Sequence, residues 1–265
     1  MSAEASRPLI LITNDDGIQA KGIQALASAM VQHGDVVVVA PDRAQSGMGH
    51  AVTINGILKM EPVTFGVEGV QAAWQTTGTP VDCVKLAIYE ILGKKPDLLL
   101  SGINHGSNAS INVIYSGTVA AAIEAAFLGV PAIAVSLHIG DPARTRYGRA
   151  AAIAREIIDR VLEHPIDPHS VINVNVPRTE DPDAPMPPIR LAEMNTAAGS
   201  SSFEERSSPD GRTYYWACGS GLAFDRTAAG SDVETLLERY VTVTPLDYNL
   251  TDHPRMNTWR ERLES

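Results

Sequence analysis

Cysteine is nearly missing. Cys83 and Cys218 are the only two, too few for a disulfide framework or a cysteine-based zinc site, and both read as structural. Positive charge is also short: Lys and Arg total 21 against 31 Asp and Glu, a net charge of −10. That balance argues against a nucleic-acid duplex or an anionic membrane surface as the main partner. A small anionic substrate stays open, because a bound cation or a ring of backbone N–H groups reverses the local field. No apolar run suggests a membrane span, since the longest, VAAAIEAAFLGVPAIAVSL, is interrupted by Glu124, Gly129 and Pro131. The opening MSAEASRP has neither the basic region nor the apolar stretch of a secretory leader, so a cytoplasmic protein is expected.

What the chain does have is an apolar fraction of 44% and a regular alternation of short apolar runs with helical patterns. PLILIT (8–13) and VVVVAP (36–41) read as buried strands of the near-continuous kind found in parallel sheets. IQALASAMVQ (23–32) between them reads as an amphipathic helix. VTINGILKM and VQAAWQTT look like further β pieces. TPVDCVKLAIYEIL (79–92) predicts a helix with Thr79 as N-cap, Pro80 at the first position and Asp82 in the first turn. DLLLSG (97–102), PAIAVSL (131–137) and VINVNVP (171–177) predict strands. GTVAAAIEAAFLG (117–129) and RYGRAAAIAREIIDRVLEH predict helices. This order argues for a doubly wound, mostly parallel α/β sheet of Rossmann-like type over residues 8–178.

After Pro177 the texture changes. RTEDPDAPMPP reads as an exposed linker, IRLAEMN and TYYWACG as two strands of a projecting hairpin, and YVTVTPL (240–246) as a last strand before a polar tail. Residues 179–265 therefore form an expected extension, and the open strand edges of its hairpin suggest self-association.

In an open parallel sheet, ligands bind beyond the carboxyl ends of the strands. Three polar, glycine-bearing loops follow predicted strands here. The first carries Asn14, Asp15 and Asp16, the second Asp42 and Ser46, and the third is INHGSNASINVIYSGT. Adjacent carboxylates at a strand tip repel, and burying either is costly without a cation. Together with hydroxyl and amide oxygens they make an all-oxygen set suited to Mg²⁺ or Mn²⁺. An Asp-Gly turn with a helix cap reads the same residues; the convergence of three loops favours the cation. The third loop runs into a helix whose first turn, Ser116, Gly117 and Thr118, suits an anion, although capping by Ser116 accounts for the same pattern. His50 and His105 could move protons, yet a lone loop histidine more often serves as a hydrogen-bonding residue.

ILITNDDGIQAKGIQAL, APDRAQSGMGHAVT, TTGTPVDCVKLA, SGINHGSNASINVIYSGTVAAAIEA and VTVTPL resemble, in order, the sequence blocks of the SurE family. These are metal-dependent phosphatases of the survival-protein-E type that act as 5′- and 3′-nucleotidases. The resemblance runs from about Pro8 to Leu246 and is weakest between Arg178 and Gly230. It implies a Rossmann-like core with a swapped C-terminal arm, a homodimer or homotetramer, and one divalent cation per subunit. It also implies that Asp15, Asp16, Ser46 and Asn104 are metal ligands, Asp15 and Asp16 being the catalytic pair. Asn108 and the turn Ser116, Gly117 and Thr118 would contact the phosphate. Ala109 and Asn112 stand where family members often carry Gly and Asp, and His50 follows SGMG where small polar residues are common. The expectation is a phosphomonoesterase acting on nucleoside monophosphates. A non-catalytic nucleotide-binding or assembly protein is the alternative, and release of phosphate separates the two. A receiver-like signalling domain fits less well, because DLLLSG ends in Ser101 and Gly102 rather than an aspartate.

Overall fold

The computed structural model describes residues 7–197, 202–218 and 227–264. Its elements follow the chain as β1 (Leu9–Thr13), α1 (Lys21–Met30), β2 (Asp35–Pro41), β3 (Met60–Pro62), β4 (Val70–Thr76) and α2 (Pro80–Leu86). Then come β5 (Leu98–His105), α3 (Asn112–Tyr115), α4 (Gly117–Phe127), β6 (Ala132–Leu137), α5 (Tyr147–Leu162) and β7 (Val171–Val176). The last third holds β8 (Ile189–Leu191), β9 (Ser202–Ser207), β10 (Thr213–Cys218), α6 (Asp232–Leu237), β11 (Val241–Leu246) and α7 (His253–Leu263).

Nine strands form one sheet in the order β3-β4-β2-β1-β5-β6-β7-β11-β8, and β9 pairs with β10 outside it. The six strands from β4 to β7 are parallel, while β3 and β11 run antiparallel to their neighbours β4 and β7. The continuous apolar runs have a direct cause. On β1, Ile10 and Ile12 face α1 and α5, packing with Leu26, Met30, Ile153 and Ile157. Leu11 faces the opposite layer with Cys83 of α2 and Ala122 and Ala125 of α4. On β1 these residues are covered whichever way they point, so no alternating polar position arises there. The chain winds outward from β1 through β2 to β4, then returns to place β5 on the other side of β1. That reversal opens a crevice at the carboxyl ends of β1 and β5.

The helix expected at 79–92 starts as its sequence suggests. Thr79 Oγ1 accepts the Asp82 N–H at 3.2 Å, and Asp82 Oδ2 accepts the Thr79 N–H at 3.0 Å. Such a reciprocal cap contributes about 1 kcal/mol. Beyond Leu86 the helix widens into a π-helical stretch over Ala87–Leu92 and stops at Gly93, where φ is +59°.

Three expectations are corrected and one element is added. VTINGILKM is not a strand: only Met60 enters β3, and the segment before it is tied to α2 through Thr53, whose N–H and Oγ1 donate to Asp82 at 3.0 and 2.7 Å. The strand of DLLLSG continues to His105, so Asn104 and His105 lie on β5 rather than in a loop. A projecting hairpin is present, but TYYWAC pairs with SFEERS; the first three residues of IRLAEMN join the central sheet beside β11. The polar tail contains a helix, α7, started by Asp252, whose side chain accepts the Arg255 N–H. Among the described residues no helix is long and apolar enough to cross a membrane.

Candidate active site

Beyond Thr13 the chain leaves the sheet in a tight turn that Asn14 closes by itself. Asn14 Nδ2 donates to Gly17 O at 2.9 Å and the Gly17 N–H returns to Asn14 Oδ1 at 3.2 Å. Gly17 stands at φ +97°, where a side chain would be strained. The next helix, α1, starts at Ala20 without any side-chain cap. The two ordinary uses of an Asp-Asp-Gly run, turn and cap, are thus met without either carboxylate.

Both aspartates point to other partners. Asp15 is only 4% exposed, and its Oδ1 accepts Thr118 Oγ1–H at 2.5 Å. Asp16 Oδ2 accepts the His105 N–H at 2.8 Å. Burial lifts the Asp15 carboxyl from an ordinary 3.8 to about 6; the Thr118 bond opposes that, and the charge of Asp16 adds to it. Asp16 is raised as well, again mainly by burial. No described Lys, Arg or His side chain lies within ion-pair distance of either. Two neighbouring, desolvated carboxylates without a cationic partner fit a bound cation. Among the described residues no three His, Cys, Asp or Glu side chains form a metal cluster. A cation here would therefore draw its remaining ligands from neutral oxygens, which favours a hard divalent ion.

Two segments that carry such oxygens are hydrogen-bonded to the pair. The Gln45 N–H donates to Asp15 O at 2.7 Å, holding the loop that carries exposed Ser46 against the β1 turn. Asn104 lies near the end of β5, opposite Ser136 of β6, with its Nδ2 donating to Gly106 O at 2.8 Å. That bond leaves Oδ1 free of any described protein donor. Its neighbour His105 places Nδ1 2.6 Å from Tyr147 Oη. The Tyr147 hydroxyl is pushed up to about 12 by burial, with the Asp16 charge adding to the rise.

The first turn of α4 closes the site from the other side. Ser116 Oγ accepts the Val119 N–H at 3.0 Å, so the expected cap is present. Gly117 packs so tightly that a Cβ would sit 2.9 Å from Asp15 Cβ and 3.1 Å from Pro80 Cγ. The positive end of the helix therefore bears directly on Asp15. Asn108 is engaged elsewhere: its Nδ2 donates to Ser136 Oγ at 2.8 Å, its N–H to Asn175 Oδ1 at 2.8 Å, and its O accepts from Asn173 Nδ2 at 2.8 Å. The structure thus brings Asp15, Asp16, Gly117, Thr118 and the peptide after Asn104 together, and seats Asn108 as a pin between the loop and β6–β7. Asn173, Asn175 and Tyr147 escaped the reading of the sequence. The N-V-N alternation of β7, which puts two amides on one face of a buried strand, was the available signal for the first two.

His50 lies apart from the carboxylate pair. Its Nε2 is 3.0 Å from Glu124 Oε2 on α4, and Lys85 Nζ stands 3.7 Å from the other oxygen of that carboxylate. His50 and Glu124 border a cavity of about 630 Å³ walled mainly by Ile123, Phe127, Met194, Leu246 and Tyr248. Neither Asp15 nor Asp16 lines it.

The chain is similar to known proteins along most of its length. The family model for survival protein SurE matches residues 10–200. A 5′-nucleotidase SurE of Christiangramia forsetii is 44% identical over 247 residues, covering 93% of this chain and 94% of its own length. That of Cytophaga hutchinsonii is 45% identical over 251 residues, 94% of each. The crystal structure of the SurE protein from Aquifex aeolicus superposes with a TM-score of 0.82 at 35% identity, covering 97% of this chain and all of the other. With a matching family model over most of its length and relatives this similar from end to end, the chain belongs to the SurE family.

Proposed function

We propose that this protein is a nucleotidase that removes the phosphate from nucleoside 5′-monophosphates, and from 3′-monophosphates as well, using one divalent cation per subunit, Mg²⁺ or Mn²⁺. Relatives named 5′-nucleotidase SurE that align along nearly the whole chain support the reaction. The observation that carries the site is buried Asp15, held against the first turn of α4, beside half-buried Asp16, with no described cationic side chain in ion-pair contact with either.

Asp15, Asp16, Ser46 and Asn104 would hold the cation. When bound, it supplies charge neutralisation at the phosphate and a lowered pKa for a coordinated water. The chain contributes the rest. Thr118 fixes the orientation of Asp15, and the His105 N–H fixes that of Asp16, so neither carboxylate has to reorganise during reaction. The N–H groups of Gly117 and Thr118 lie in the first turn of α4, where helix N–H donors have no carbonyl partner within the helix, and would take phosphate oxygens. Ser116 keeps that turn rigid by capping Val119. Asn108 would support the phosphate by fixing the loop that leads into α3.

The exposed β9–β10 hairpin, with Phe203, Tyr215 and Trp216 all more than half exposed, supports a homodimer or homotetramer formed through the C-terminal region, residues 179–265. A cytoplasmic location belongs to the same reading. The test of function is phosphate release from a panel of 5′- and 3′-nucleoside monophosphates, with Mn²⁺, Mg²⁺ or EDTA, beside Asp15→Asn. Release that needs the metal and disappears in the variant is expected. Nucleotide binding without release under any metal would instead make this a binding protein.

A further inference from the structure

Two segments far apart in sequence meet the loop that leads to α3 and α4, and one carboxylate joins them. Asp232, the first residue of α6, is fully buried. Its Oδ2 accepts the Ser110 N–H at 2.7 Å, and its Oδ1 accepts those of Asn195 at 2.9 Å and Val233 at 2.8 Å. Its own N–H donates to Glu193 O at 2.8 Å. Ser110 adds a direct link, with Oγ donating to Asn195 O at 2.5 Å.

Ser110 stands at φ +59°, in the left-handed region that a residue with a side chain adopts only when its surroundings hold it there. The hydrogen bond to Asp232 falls on that very peptide. Two residues earlier, Asn108 is pinned to β6 and β7 through Ser136, Asn173 and Asn175. Six residues later, Ser116 begins the turn that braces Asp15. The loop is thus fixed at two neighbouring points, and everything between Ser110 and α4 takes its direction from them. Asn195 and Asp232 also lie on the two stretches of chain that lead out to and back from the β9–β10 hairpin, so the same knot gathers the roots of that arm.

We infer that Asp232 is a positioning residue for phosphate removal: its carboxylate holds Ser110 in the left-handed conformation and so sets the approach of the first turn of α4 to Asp15. This rests on the proposed nucleotidase reading. A carboxylate is suited to the task because both oxygens only accept, while the groups facing them, Ser110 N–H on one side and Asn195 and Val233 N–H on the other, only donate.

Asp232→Asn tests the inference at constant volume. The amide oxygen can keep the two donors of Asn195 and Val233, which turns Nδ2 against the Ser110 N–H and releases the loop. Metal-dependent phosphate release is expected to fall by about tenfold to a hundredfold, chiefly in kcat, and the amides of residues 108–116 to exchange faster with deuterium than in the wild type. Ser110→Gly introduced on top should recover part of the loss, since glycine adopts φ +59° unaided; a merely structural role for Asp232 would give no such recovery. Wild-type kcat in Asp232→Asn, or a loss that Ser110→Gly leaves untouched, overturns the inference. Failure of the nucleotidase reading shows separately, as absent phosphate release by the wild type, and the exchange measurement still decides whether Asp232 holds the loop: exchange in residues 108–116 unchanged from the wild type overturns it too.

Discussion

Replacing Asp15 by Asn should destroy activity and, without metal, make the protein more stable. The argument begins with the buried carboxyl, raised from 3.8 to about 6 mainly by desolvation. A carboxyl whose pKa is higher in the folded than in the unfolded chain stabilises the fold in its protonated form. That contribution is complete below 3.8 and is lost as pH climbs through about 6. The difference corresponds to roughly 3 kcal/mol. An asparagine amide in its place would be neutral throughout and could still accept the Thr118 hydroxyl. At about pH 8 in EDTA, Asp15→Asn should therefore exceed the wild type by up to about 3 kcal/mol, on the order of 6–12 °C in Tm for a chain of this size. Near pH 4 the two should melt together. Saturating Mn²⁺ or Mg²⁺ should raise the wild type alone, by an amount that grows with free metal over its Kd. Thermal unfolding followed by circular dichroism, with and without metal at both pH values, reads all of this. An Asp15→Asn protein that melts below the wild type in EDTA at alkaline pH would refute the reasoning, as would an equal gain from metal in both proteins.

The tight seat of Gly117 allows a test of how closely α4 must approach. Gly117→Ala places a methyl 2.9 Å from Asp15 Cβ, closer than two carbons tolerate, so activity should drop about a hundredfold with a loss of about 1–3 kcal/mol in stability, measured by initial rates and urea unfolding. On the hairpin, Tyr215→Glu with Trp216→Glu should lower the mass seen by light scattering to that of a monomer while leaving the far-ultraviolet spectrum of the core unchanged. An unchanged mass would remove this hairpin from the assembly.

The elements that were legible in the sequence are those whose causes are local or periodic. β1 and β2 announce themselves because a strand covered on both faces has few polar positions to break the run. The start of α2 was readable because its cap uses Thr79, Pro80 and Asp82 within four residues. VTINGILKM misleads for the opposite reason. It has the composition of a strand, but Ile54 and Ile57 are 82% and 88% exposed, the N–H and hydroxyl of Thr53 are taken by the Asp82 carboxylate, and the carbonyl of Ala51 just before it accepts the Thr79 hydroxyl. SFEERS carries no strand signal because the hairpin is exposed on both faces, so no burial imposes alternation. α7 shows only the narrow stripe of Met256, Trp259 and Leu263, set among charges, and none of its residues is buried.

The candidate site divides along the same line. Asp15 and Asp16 could be singled out because two adjacent acids at the tip of an apolar strand are costly, and cost is visible in a sequence. What the structure adds is that Asn14 and Gly17 close the turn alone, so the acids are surplus to the fold. The groups that hold the site in shape carry no such mark. Asp232 meets Ser110 across 122 residues through a backbone N–H, and Asn173 reaches Asn108 across 65 through a carbonyl. Every residue but proline offers the same peptide donor, so nothing at Ser110 tells which acid it will find; only the folded path of the chain does. A positive φ at a serine is equally silent in a sequence, because glycine and asparagine are the residues that advertise it. The acids that would do the chemistry are therefore legible before the structure is known, and the acid that aims the loop is not. The difference lies in whether the energetic cost falls on the side chain itself or on a peptide far away.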